Sequence, residues 1–142
     1  MSTTMLSRFR ATVLAILAVL ALQFVAGMIT NLYVEFPDSL PHGSAWAWAF
    51  ARTSIIPVHV ALGTLLLVLS LIAIELAWWA DTRLGFASVL AGFLLIALAY
   101  LCGIWFLTYG QSNVSSLLMA LGFMGAFVAY GAGLLVTRPD AR

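Results

Sequence analysis

Four long apolar runs, separated by short polar breaks, account for most of the chain: Ala11 to Tyr33, Ile56 to Trp79, Leu84 to Leu107 and Val114 to Val136. A helix needs about 20 residues, at 1.5 Å each, to cross a hydrocarbon layer of about 30 Å. Each run exceeds that length by an amount that tilt absorbs. The pattern therefore predicts an all-α, integral membrane four-helix bundle occupying residues 1–142 as a single domain. The first run is preceded by Arg8 and Arg10, as a signal peptide would be. It is longer than the usual apolar core of about 7 to 15 residues, and it ends in GMITNLYVEFP rather than a small-x-small cleavage site.

The longest break lies between the first and second runs. Its first part, FPDSLP from Phe36 to Pro41, reads as a turn-rich exit, because each proline fixes φ and removes a donor. Its second part, SAWAWAFAR from Ser44 to Arg52, predicts a short interfacial helix. Indole rings favour the depth at which an apolar body meets a wet edge, so Trp46, Trp48 and Phe50 are expected to anchor the bundle or to present a platform for a partner.

Composition settles the solvent. The chain is 64% hydrophobic and 8% charged, whereas a soluble domain is about one quarter charged. The lipid bilayer is therefore the expected surroundings. Charge settles the expected direction: Arg8, Arg10, Arg83, Arg138 and Arg142 all fall on one side of four alternating spans, and only Arg52 falls on the other. The positive-inside rule makes the Arg-rich side cytoplasmic, with both termini there, as expected of a bacterial inner-membrane protein. A net charge of +1 with no Lys gives no electrostatic footprint for nucleic acid. The one cysteine, Cys102, lies inside an apolar run without a disulfide partner or ligand spacing.

Lipid tails are as apolar as Leu, so such helices must associate through small residues and interhelical hydrogen bonds. Ser115, Gly122, Ala126, Ala129 and Gly133 share one face of the fourth span; Ser88, Gly92, Ala99 and Gly103 share one face of the third. These two spans are expected to form the tightest pair. Gln23, Gly27 and Asn31 share a face of the first span, and His59, Gly63 and Ser70 a face of the second. Those two polar faces are expected to meet inside. Glu75, near the end of the second span, is expected to reach the interface or pair with Arg83.

No catalytic constellation emerges. The acids are scattered, and no serine sits in a nucleophile elbow. What remains is a polar cluster at the outer ends of the spans: Gln23, Asn31 and Tyr33, then His59, then Tyr109, Gln111, Asn113, Ser115 and Ser116. His59 follows Pro57, a favourable first-turn residue, and stands about one turn inside its span. Its expected role is a neutral imidazole bonded to Asn31 or Gln111, tying three helices together.

Three stretches, LQFVAGMITNLYVEFP, PVHVALGTLLLVL and YGQSNVSSLLMAL, together resemble a family of small four-span membrane proteins of uncharacterised function, found mainly in high-GC Gram-positive bacteria. That resemblance implies topology and no activity. A second resemblance is to one four-helix half of haem A synthase-type proteins, carried by Gln23, Gly27 and Thr30 on one span and His59 opening the next. It implies haem b held between histidines on two helices. The fourth span has no His, so the second axial ligand would fall to Met119 or Met28, or to His42 from the loop. The leading expectation is a non-enzymatic accessory or scaffold subunit, associating with other membrane subunits or with itself and needing no cofactor. The alternative is a haem b-binding or quinone-adjacent electron-transfer module centred on His59.

Overall fold

The computed structural model describes residues 3–37 and 44–137. Asp38, His42, Arg138 and Arg142 lie outside the described residues. Five helices follow one another: α1 (Thr3–Tyr33), α2 (Ser44–Arg52), α3 (Ile55–Trp79), α4 (Arg83–Tyr109) and α5 (Asn113–Val136). The four long ones are apolar enough to cross a membrane. They lie close to the predicted spans, and the short helix coincides with SAWAWAFAR.

The four long helices form a closed ring in which α1 neighbours α3 and α5, and α4 neighbours the same two. As expected, α4 and α5 make the most extensive contact. An added methyl at Gly122 would lie 2.8 Å from the Leu95 carbonyl oxygen and 3.0 Å from Ala99 Cβ; at Gly133 it would lie 3.2 Å from Ser88 Cβ. Their backbones thus approach as closely as a small-residue seam allows.

The turns explain the antiparallel order. Between α3 and α4 the chain reverses through Asp81, whose φ of 50° is left-handed, a conformation that Asp tolerates better than most residues. Thr82 then caps α4 by accepting a hydrogen bond from the Gly85 amide at 3.2 Å. Between α4 and α5 the same reversal falls on Gly110, with φ at 94°. Ser112 caps α5 by accepting from the Val114 amide.

The first helix begins earlier than its apolar run. Arg8 and Arg10 lie within α1 rather than ahead of it, because an apolar run marks only the stretch that must avoid water. Arg10 Nη1 donates to the carbonyl oxygens of Leu134 (3.1 Å) and Thr137 (2.7 Å). A helix leaves its last carbonyls without intrahelical donors, and a cation there also complements the helix dipole. The start of α1 is thereby tied to the end of α5.

The core is densest near this Arg10 end. Phe9, Val13, Ile16 and Leu20 of α1 meet Leu66, Ala73 and Ala77 of α3, Val89 and Ile96 of α4, and Ala126 and Tyr130 of α5. At the opposite end, Ala45 and Ala49 of α2 are buried against Ile56 and Leu107. Trp46 Nε1 donates to Thr108 Oγ1 at 3.1 Å, and Phe36 lies between Trp48 and Phe106, with ring centroids 5.5 and 5.4 Å away. The aromatic segment therefore docks across α3 and α4 through its alanines, leaving Phe50 exposed.

Candidate functional site

His59 stands in the second turn of α3, and its ring turns toward α1. Gln23 Nε2 lies 3.3 Å from His59 Nε2. The imidazole rests on Gly27, one helical turn further along α1: a methyl there would lie 3.1 Å from His59 Cε1 and 3.7 Å from Nδ1. One turn along α3, Gly63 makes room for a second ring. A methyl there would lie 3.2 Å from Tyr100 Cδ2 and 3.5 Å from Gln23 Nε2. Thr64 Oγ1 donates to the Val60 carbonyl at 3.0 Å, so its contact with Tyr100 Oη, also 3.0 Å, has the phenol as donor. Gln23, Gly27, His59, Gly63 and Tyr100 thus join three helices.

The expected meeting of polar faces on α1 and α3 is present, but with a different partner. Gln23, not Asn31 or Gln111, reaches His59. Asn31 is exposed near the end of α1, Asn113 is exposed as the first residue of α5, and Gln111 lies half-buried in the preceding turn. The reason is depth: the His59 ring extends sideways onto the turn from Gln23 to Gly27, so a residue one turn nearer the helix end points past it. Tyr33 and Tyr109 are exposed as well, while Ser115 is buried at the start of α5. Glu75 is exposed on α3.

Two residues essential to the interior carry no motif. Tyr130 is fully buried and donates through its hydroxyl to Ser70 Oγ at 2.8 Å, bridging α5 and α3 across the ring of helices. Its ring fills the notch left by Gly92, where a methyl would fall 2.5 Å from Tyr130 Cε2. Tyr100 is the other. The available signal was general: a tyrosine in mid-span must find a partner for its hydroxyl.

The haem expectation can be set against this geometry. His59 offers one imidazole to the interior, yet its Nε2 faces the Gln23 amide and its ring lies in contact with the α1 backbone. Met28 is exposed. Met119 packs toward Gly103, where a methyl would lie 3.3 Å from its sulfur. Among the described residues, then, neither methionine is placed to complete a six-coordinate iron with His59, and His42 lies outside those residues. Among the described residues, no three His, Cys, Asp or Glu side chains gather as metal ligands.

The outward surface of α1 is unusual in composition. Along its first half Phe9, Val13, Ile16 and Leu20 face the core, while Ser7, Ala11, Ala15 and Ala18 are exposed; further along, Leu22 and Val25 continue the exposed side. At 100° per residue Ser7, Ala11, Ala15 and Ala18 fall within about 80° on the side opposite the core. The exposed face of α4 carries Leu90, Leu94, Leu98 and Leu101, with Ala87 and Ala91 beside them.

Fold and surface together define a multi-pass helical membrane protein. No protein-family model, curated protein or solved structure matches the chain.

Proposed function

We propose that the protein is a non-enzymatic subunit of a membrane complex, which docks another transmembrane helix on the outward face of α1. The observation that carries this reading is the stripe of small exposed residues along the first half of that helix. In lipid no hydrophobic drive brings helices together, and association depends on the close backbone approach that small residues permit. Ser7, Ala11, Ala15 and Ala18 offer such a stripe to the bilayer, flanked by the exposed Leu14 and Leu22.

In this reading the Arg-rich end, with Arg8, Arg10 and Arg83, lies in the cytoplasm of a bacterial cell, and α2 lies on the outer face. The exposed Trp78 and Trp79 at one end, and Trp105, Tyr109 and Tyr33 at the other, sit at the two headgroup levels. The Gln23–His59 pair then belongs to the outer half of the bundle and sets the spacing between α1 and α3.

Native electrophoresis of gently solubilised membranes tests the subunit reading. The wild type is expected to migrate with a complex larger than the monomer, and Ala11→Leu/Ala15→Leu/Ala18→Leu is expected to migrate as the monomer. Those positions are exposed, so the bundle itself should keep its melting temperature. A wild type that migrates only as a monomer refutes the reading.

A further inference from the structure

The polar side chains of α3 do not all face inward. Thr64, Val68, Leu71 and Glu75 recur at intervals of four, three and four residues, and at 100° per residue they fall within about 60° of one another. All four are exposed, on the side of α3 away from the buried Gly63, Leu66, Ser70, Ala73 and Ala77. Alternating steps of three and four are those by which two helices pack side by side. On this lipid-facing seam two of the four positions are polar.

Neither polar position has a proton to give. Thr64 Oγ1 donates to the Val60 carbonyl and accepts from Tyr100 Oη, each over 3.0 Å, so the pair turns only unused lone pairs outward. A carboxylate likewise only accepts. Glu75 lies four residues, about 6 Å, before the Trp79 end of α3, and helical side chains lean toward their own N-terminus. Its carboxylate therefore leans away from that end and into the apolar layer, beside the exposed Leu71 and Ile72. Arg83, exposed at the opening of α4, leans the other way by the same rule. Arg10, near the same end of the bundle, is engaged by the carbonyls of α5. An ionisable side chain within a span ordinarily faces the bundle interior and a partner there. Glu75 faces outward, so the partner it calls for lies on the lipid side of α3.

We propose that this seam of α3 docks a transmembrane helix of another protein, one carrying Lys or Arg opposite Glu75 and a donor such as Ser, Thr or Asn about 16 Å further along, opposite Thr64 and Tyr100. That distance is the spacing of the two acceptors, eleven residues apart at 1.5 Å each. A cationic donor matches a carboxylate, and interhelical hydrogen bonds are among the few attractions that lipid leaves available. A second copy docking by the same seam would set carboxylate against carboxylate and acceptor against acceptor. This contact rests on the subunit reading as a second attachment, on a helix other than α1.

Benzoylphenylalanine at Leu71, one turn from Glu75 on the seam, tests the contact with the full-length chain in irradiated intact cells. One discrete adduct is expected, of a mass other than twice the monomer. It should fall roughly tenfold in Glu75→Gln, the loss of one charge-assisted hydrogen bond, and persist in Glu75→Asp. Glu75 is exposed, so both variants should keep the melting temperature of the wild type. The wild-type adduct also decides by itself: its fragments should place the crosslink on a transmembrane segment with Lys or Arg within about two turns of the attachment point. No adduct, an adduct of two copies of this chain, an adduct undiminished in Glu75→Gln, or an attachment segment without Lys or Arg overturns the proposal. An adduct from the same photo-crosslinker at Ala15 of α1, without one from Leu71, would remove this contact and leave the subunit reading standing.

Discussion

Tyr130 and Ser70 meet across the middle of the bundle, the phenol donating over 2.8 Å to a serine whose own proton goes to the Leu66 carbonyl. The pair links α5 to α3, two helices that are not neighbours in the ring, so the Tyr130 side chain spans the space between four backbones. Gly92 makes this arrangement possible by leaving α4 open beneath the aromatic ring.

Removing the hydroxyl and removing the notch should therefore have different consequences. Tyr130→Phe keeps the ring and loses one interhelical hydrogen bond, about 0.6 kcal/mol and at most about 1.7. Gly92→Ala places a methyl where three ring atoms lie within 3 Å, and overpacking of this kind costs about 1 to 3 kcal/mol. Thermal unfolding in detergent should rank wild type, Tyr130→Phe and Gly92→Ala in descending order. Equal melting temperatures for wild type and Gly92→Ala would contradict the close fit.

The seam between α4 and α5 makes a similar distinction between two glycines. A methyl at Gly122 meets the Leu95 carbonyl at 2.8 Å, which is backbone and cannot step aside, whereas one at Gly103 meets only the flexible end of Met119 at 3.3 Å. Gly122→Ala should lower the melting temperature clearly, and Gly103→Ala should change it little. The reverse order would show that Gly103, rather than Gly122, marks the closest approach.

Much of this architecture is legible in the residue pattern, for a physical reason. In a bilayer the backbone must satisfy itself within each span, so long apolar runs leave few choices besides helices, and short breaks leave few choices besides antiparallel neighbours. The Gly122, Ala126 and Gly133 face is legible because small residues recur on one side of a helix. Three things resist such reading. Periodicity brings Gln23, Gly27 and Asn31 to one face but does not say which of them lies at the height of a ring reaching over from α3. The diagonal reach of Tyr130 depends on the tertiary space opened by Gly92, 38 positions earlier in the chain. Arg10 is a third case: ahead of an apolar run it reads as a topology signal, yet it also caps the last carbonyls of α5.

The proposed orientation rests on the distribution of Arg and is directly measurable. In a Cys102→Ser background, Asn113→Cys should react with a membrane-impermeant maleimide on intact cells, and Ser7→Cys should react only after lysis. The opposite pattern would invert the bundle.

The packing of His59 against Gly27 and Gln23 also predicts an optical result. Protein purified from cells supplied with ample haem should show no Soret band, because Met28 and Met119 do not converge on the imidazole. A Soret band that His59→Ala abolishes would mean that α1 moves aside to admit a porphyrin.

The subunit reading faces its most direct test in the membrane itself. A photo-crosslinking benzoylphenylalanine at Ala15, on the small outward stripe of α1, is predicted to give one discrete adduct of higher mass on irradiation of intact cells, while the same residue at Leu94, on the leucine-covered face of α4, gives none. Equal, diffuse labelling at both positions, or no adduct at Ala15, would show that the outward face of α1 meets only lipid and would contradict the account.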